Sequence, residues 1–275
     1  MTARPLADLS RLSLNDKTVD QLTLPQAVEA CVEAGISWIG PWREKVAEFG
    51  LDRSARLLRA AGLQVSGLCR GGFFPTADGV ARRRRDADNR RAVEEAAALG
   101  ANVLVLVCGP APDRDLRAAR LMVAEGLERL EPYAAECGVS LGVEPLHPMM
   151  AAERSVVVTL GEAIALAERF DPGRVGVIVD AYHIWWSPDL DAEVARCAGR
   201  ILGYHVSDWL VPTTNVLAGR GLMGDGVIDL RRIRGLVEAA GYEGPIEVEV
   251  INPALERVPA RELVTTVCER YLAWV

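Results

Sequence analysis

Eight short apolar runs recur along this chain, each but the last leading into a longer amphipathic segment, and no linker interrupts the alternation. They are RLSLN (11–15), ISWIGPW (36–42), QVSGLCRG (64–71), ANVLVLVCG (101–109), VSLGVEPLH (139–147), VGVIVDAYH (175–183), ILGYHVSDW (201–209) and PIEVEVI (245–251). Runs of this length, rich in β-branched residues, read as strands buried on both faces, the mark of a parallel sheet. Parallel strands need crossovers of a dozen or more residues, usually helical. Segments such as LPQAVEACVEAG, RSARLLRAAG and RAVEEAAALG supply them, and each closes on the glycine expected of a helix stop. Eight such units predict an α/β fold, a single (β/α)8 barrel filling residues 1–275 as one domain, in line with the roughly 250 residues such barrels take. An open doubly wound sheet is the rival, and it fits a regular repeat of eight less well.

Composition narrows the function classes. The formal charge of −7 argues against a general nucleic-acid or anionic-membrane binder. No apolar run approaches the roughly 20 residues that span a bilayer, and MTARPLADLS lacks the apolar segment of a secretory signal. Six cysteines without a CxxC pair read as reduced, small hydrophobes of a cytoplasmic protein. The basic run ARRRRDADNRR (81–91) reads as a solvated helix face.

In this architecture chemistry gathers at the C-terminal ends of the strands. VGVIVD delivers Asp180 at the end of an otherwise uncharged strand, where an ionised group needs either solvent or a compensating cation. Glu144, His205 and Glu249 fall late in the neighbouring strands, and all three histidines, His147, His183 and His205, lie at strand ends. Singly, each reads as a salt bridge or a satisfied core polar group. Together, Glu144, Asp180, His205 and Glu249 form a donor set suited to one divalent metal. Glu247 shares the face of Glu249 but lies deeper, where a partnering Arg or Lys is expected. His183, three residues after Asp180, belongs to the following loop, and Asp208 stands to His205 as a loop residue or supporting partner. GRGLMG (219–224) matches GxGxxG on paper, yet neither follows a strand nor opens a helix, so no dinucleotide site is expected. Within it, Arg220 is either a solvated surface residue or a cation for a polyol oxygen. Trp185, Trp186, Trp209, Phe73 and Phe74 follow strands and either pack loops or wall a pocket.

These motifs, GVEPLH, VIVDAYH, GYHVSD and GYEGPIEVEV, resemble the xylose isomerase-like TIM barrels over nearly the whole chain. The resemblance implies that Glu144, Asp180, His205 and Glu249 bind one divalent ion, manganese first, with cobalt, magnesium or zinc as alternatives. It also implies that Glu144 and Glu249 act as catalytic acid and base. On the substrate side it places His183 and Arg220, the latter in RGLMGDG, which is similar to the family's Arg-x-x-Pro-Gly-x-Gly loop. His147 and Trp185 are counted with them. Met223 replaces the usual Pro, while Met150 and His147 stand where epimerases carry Glu and Asn, which weakens the expectation of free-ketohexose specificity. The implied activity is isomerisation or epimerisation of a small polyhydroxy ketone, a ketose or inosose, through an enediolate. Dehydration on the same scaffold, of the inosose or 3-dehydroshikimate type, is the alternative. The partner is then a small molecule, with no nucleic acid and no membrane, and homo-oligomerisation stays open. An endonuclease IV-like nuclease would need a three-zinc cluster with more histidines than the three present. A non-catalytic partner subunit is the remaining rival.

Overall fold

The apolar runs become strands whose outward side chains are buried under helices. The computed structural model describes residues 5–275; the first four residues, part of the N-terminal segment expected to carry no secretory signal, lie outside the described residues. In chain order the strands are β1 (Leu12–Asn15), β2 (Trp38–Gly40), β3 (Gln64–Val65), β4 (Leu68–Gly72), β5 (Val103–Val107), β6 (Ser140–Glu144), β7 (Val175–Asp180), β8 (Ile201–Val206), β9 (Asp208–Trp209), β10 (Arg220–Gly221) and β11 (Ile246–Val248). The helices are α1 (Leu24–Ala34), α2 (Arg43–Phe49), α3 (Leu51–Ala61), α4 (Gly79–Leu99), α5 (Leu116–Glu136), α6 (Leu160–Ala167), α7 (Ala181–Ile184), α8 (Leu190–Arg196), α9 (Leu230–Ala239) and α10 (Ala260–Trp274).

Nine strands form one sheet in the order β3-β2-β1-β11-β8-β7-β6-β5-β4, parallel throughout. Its two ends, β3 and β4, are consecutive in the chain, so the expected third strand is present but broken at Ser66 and Gly67. Cys69 N donates to Pro41 O (3.2 Å) and bridges to Trp42, which closes the ring. The architecture is the expected (β/α)8 barrel, with the small antiparallel pair β9-β10 added above β8. The basic run lies on α4, where Arg85 and Arg91 have local partners in Phe73 O and Asp88, as a helix face would. Gly100 ends α4 at φ 77°, a left-handed position that costs a glycine little.

Most of the apolar core lies between strands and helices. Inside the barrel the apolar material is small: Cys69, Val103, Val105 and Ile178. Ile178 fits because Gly142 and Gly203 oppose it; a Cβ on either would sit 2.5 or 2.9 Å from its Cδ1. The remainder of the interior is polar, contributed by β1, β8 and β11.

One buried cation holds the chain after β1. Lys45 Nζ, on α2, lies 2.8 Å from Asp16 O and 2.9 Å from Leu22 O, with Asp20 O and Val19 O at 3.3 and 3.4 Å. Replacing it with Met strands these carbonyls, so Lys45→Met is expected to destabilise by about 2–4 kcal/mol in urea unfolding. Asp16 in the same loop accepts from Trp42 N–H (3.1 Å), and burial pushes its carboxyl up to about 7, against the pull of Lys45. A carboxyl with a raised folded-state pKa binds its proton more tightly when folded. Its contribution therefore falls as pH rises from about 4 to about 7. Unfolding of Asp16→Asn at pH 5 and pH 8 should show the variant gaining relative to the parent at pH 8.

Candidate metal centre

The four expected ligands, Glu144, Asp180, His205 and Glu249, arrive at one end of the barrel. Asp180 closes β7 fully buried, pairs in register with His205 on β8, and His205 pairs in turn with Glu247 on β11. Glu144 ends β6, and Glu249 extends β11 by one more rung through its N–H to Val206 O (3.1 Å). One ligand atom from each of Glu144, Asp180, His205 and Glu249 lies within 4.8 Å of the others, all four residues being buried.

The carboxylate at the end of β7 is compensated twice. Asp180 Oδ1 accepts the Tyr182 N–H (2.9 Å) at the start of α7, and Oδ2 accepts from Arg220 Nη1 (3.1 Å). The same guanidinium donates to Glu249 Oε2 (2.8 Å) and lies 4.6 Å over the Tyr182 ring. Arg220 is 3% exposed, so solvation at the surface is excluded. Burial works against its charge, but Asp180, Glu249 and Glu144 outweigh it.

Arg220 is delivered by a loop with firm moorings. Asp208 accepts backbone N–H groups from Trp209, Gly224, Gly226 and Ile228 at 2.9–3.0 Å, and Asn252 Nδ2 donates to Arg220 O (2.9 Å). Asp208 is thus the loop's clamp, lying in β9. The GRGLMG segment forms β10 and a turn.

Crowding of acids shifts the titration of the cluster. Burial pushes Glu249 up to about 7; Arg220 and His205 oppose this, Glu144 and Asp180 add to it. Burial disfavours a charged His205, yet Glu247, Glu144 and Glu249 raise it to about 10. His205 Nδ1 is buried without a hydrogen-bond partner, 3.5 Å from Glu144 Oε1, while Nε2 faces Glu247 Oε2 at 3.8 Å. An orphaned nitrogen among three carboxylates, with an acid behind the opposite nitrogen, is the donor arrangement of a carboxylate–histidine–metal unit. The residues fit a divalent ion that takes mixed oxygen and nitrogen ligands.

Glu247 does not find the Arg or Lys expected for it. Asn15 Nδ2 donates to Glu247 Oε1 (2.6 Å) and Glu249 Oε1 (3.2 Å), Ser66 Oγ donates to Glu247 Oε2 (2.5 Å), and Gly40 leaves the room the carboxylate occupies. Trp42 Nε1 fixes Asn15 through its Oδ1 (3.0 Å). Asn15, Ser66 and Trp42 escape a reading of charged strand ends; the alternation of polar Ser13 and Asn15 with Leu12 and Leu14 was the available signal.

A narrow cleft, part of it open to solvent, leads to the cluster and is lined by Glu144, His183, Arg220 and Glu249, with Trp42, Leu146, Met150 and Leu217 among its walls. His183 sits on the short helix α7 rather than in a loop. Burial lowers it to about 3, so it is neutral; its Nδ1 lies 3.2 Å from the His147 N–H and its Nε2 3.2 Å from Arg220 Nη2, both of them donors. His147 and Trp185 do not line this cavity. The His147 ring stacks on Trp209 (centroids 4.6 Å apart) and Trp185 lies against the same indole at 5.9 Å, so both pack the loops above the site. Arg70 and Arg154, not singled out by the motifs, also line it.

Comparison with known proteins places this geometry. The family model described as "Xylose isomerase-like TIM barrel" matches residues 28–268. Protein SMc04130 from Sinorhizobium meliloti 1021 superposes with a TM-score of 0.95 at 48% identity, covering 97% of this chain and 99% of that one. A 3-dehydroshikimate dehydratase of Pseudomonas aeruginosa is 29% identical over 87% of this chain, which spans 38% of that enzyme's length. An L-ribulose 3-epimerase of Methylomonas sp. (strain DH-1) is 24% identical over 84% of this chain and 81% of the epimerase. Among the described residues no helix is long and apolar enough to cross a membrane. The chain belongs to the xylose isomerase-like TIM barrel family.

Proposed function

We propose that this protein is a divalent-metal-dependent isomerase or epimerase of a small polyhydroxy ketone, with Glu144, Asp180, His205 and Glu249 as ligands and Glu144 and Glu249 as acid and base. The observation that carries the reading is the position of the two glutamates. They come from strands separated by β7 and β8, so they approach one cavity from different sides.

When bound, the metal would supply the positive charge that polarises a carbonyl and acidifies the neighbouring C–H. One glutamate removes that proton and the other returns a proton, to the opposite face for epimerisation or to the adjacent carbon for isomerisation. As a metal ligand Glu249 would be a weaker base than a free carboxylate, so its placement in the cavity wall must supply much of the rate. Neutral His183 and the Arg220 guanidinium line the cavity and meet substrate oxygens there. Leu146, Met150 and Leu217 shed water from the reacting carbon. Dehydration is the second reading, favoured by the similarity to the Pseudomonas dehydratase. It needs only that a β-hydroxyl leave after proton removal.

Proton exchange tests the reading directly. In D2O, the manganese-loaded protein incubated with ketohexoses, inososes and dehydroshikimate should place deuterium next to a carbonyl in at least one of them. Glu249→Gln and Glu144→Gln should each lose roughly 10²–10⁴-fold in exchange rate. Product NMR separates an epimer from a dehydrated skeleton. No exchange in any compound with metal bound would sink the proposal.

Metal binding must expel the protons that the cluster holds at pH 7. His205, raised to about 10, and Glu249, raised to about 7, should together release about one to two protons per ion, so affinity climbs with pH across 6–8. Calorimetry in two buffers of different ionisation enthalpy measures this. Glu247→Gln, which leaves all four ligands in place, should weaken binding about 10–100-fold.

A further inference from the structure

Two arginines in the cavity wall have no ion-pair partner among the described residues. Arg70 and Arg154 are both half-buried, and both line the space that Glu144, His183, Arg220 and Glu249 open onto. Among the described residues neither guanidinium lies within 4.0 Å of a carboxylate or donates a hydrogen bond, and Arg70 lies over the Phe73 ring, 4.4 Å from its centroid. Their neighbours in the adjoining outer cleft differ. There Arg43 is held by Asp88 and Glu95, and Arg85 by the carbonyls of Phe73 and Pro75. Two guanidiniums lining one small cavity repel each other. Burial and the nearby Arg70 together lower the Arg154 pKa.

Local backbone geometry aims both side chains. In the pairing of β4 with β5, Cys69 matches Val105 and Gly71 matches Leu106, so Arg70 is the extra residue of a β-bulge. A bulge re-aims the side chain it carries and recurs beside active sites. Arg154 precedes Ser155, which is fully buried and bridges to Gly109, while Ser155 Oγ bonds the backbone of Val157 on both sides. Arg154 is therefore presented from a pinned segment rather than a free loop.

We propose that Arg70 and Arg154 form an anion subsite, so that the substrate is an acidic polyhydroxy ketone whose carboxylate or phosphate lies opposite its reacting carbonyl. This rests on the metal-site reading above for where the carbonyl goes. Paired guanidiniums suit either oxyanion, each offering donors in a planar fork. Trp42, Val107 and Met150 line the same cavity and offer apolar surface to the rest of the substrate. The Met at position 150 offers no acceptor for a neutral sugar's hydroxyl there, which fits a ligand anchored by its charge.

Calorimetric titration of the manganese-loaded protein with fructose, fructose 6-phosphate and 5-keto-gluconate tests the subsite. At least one charged compound should bind tenfold or more tighter than fructose, with the preference shrinking as salt rises from 50 to 500 mM. Which one does so separates phosphate from carboxylate. In Arg70→Gln/Arg154→Gln the preference should vanish, and unaltered manganese affinity verifies that the variant is folded; Arg154→Lys, a milder change, should keep part of it. Neither charged ligand binding better than fructose, absent binding of all three included, or a preference that survives the double substitution, overturns the subsite. Deuterium exchange run on the same samples reports separately on the metal-site chemistry, so loss of exchange with an intact charge preference would count against that chemistry and not against the arginines.

Discussion

Four carboxylates, those of Glu144, Asp180, Glu247 and Glu249, are packed into one end of a barrel with 5% or less of each residue exposed, and their mutual repulsion governs what surrounds them. Arg220 cancels one of the four negative charges, and the proton that His205 holds offsets a second until a divalent cation would take its place. Neutral donors take up the rest of the load. Asn15 and Ser66 give their hydrogen bonds to Glu247, and Tyr182 lends a backbone N–H to Asp180. Buried charges without such partners are among the most expensive features a fold can carry. Their concentration here is a feature of function rather than of stability.

The barrel pays for this polarity by dividing its interior. Ile178 and three smaller side chains form a dry plug on one side, packed against glycines, while β1, β8 and β11 present polar atoms on the other. The helical shell supplies the larger apolar core and so carries the burden of stability. A barrel can then spend its interior on chemistry.

The barrel and the end of it that holds the polar cluster were legible in the sequence, because period and charge are properties of single residues in a row. VGVIVD announces both a buried strand and the acid that ends it, and the parallel registers bring Asp180, His205 and Glu247 level. What stayed hidden depends on direction. Arg70 reads as one more strand residue until a bulge turns it, and Arg154 as a loop charge until Ser155 anchors its segment. His147 and Trp185 follow strands as active-site residues do, yet their rings stack on Trp209, a choice set by loop packing that no strand pattern encodes. Glu247 was expected to meet a cation because an acid so deep needs a partner. The partner is an amide and a hydroxyl from β1 and the break after β3, contacts that exist only once the barrel has closed.

The mooring of Arg220 has a consequence for how such a protein diversifies. Asp208 clamps the chain on one side and Asn252 holds the arginine's carbonyl on the other, so the guanidinium's address is set from outside the stretch that leads up to it. That stretch, residues 210–219, has no regular structure and is largely exposed, yet Leu217 reaches the cavity wall. Insertions or exchanges there would redraw the rim that a substrate meets while the charged machinery keeps its coordinates. The fold separates a region free to drift from one held fixed, within a single loop.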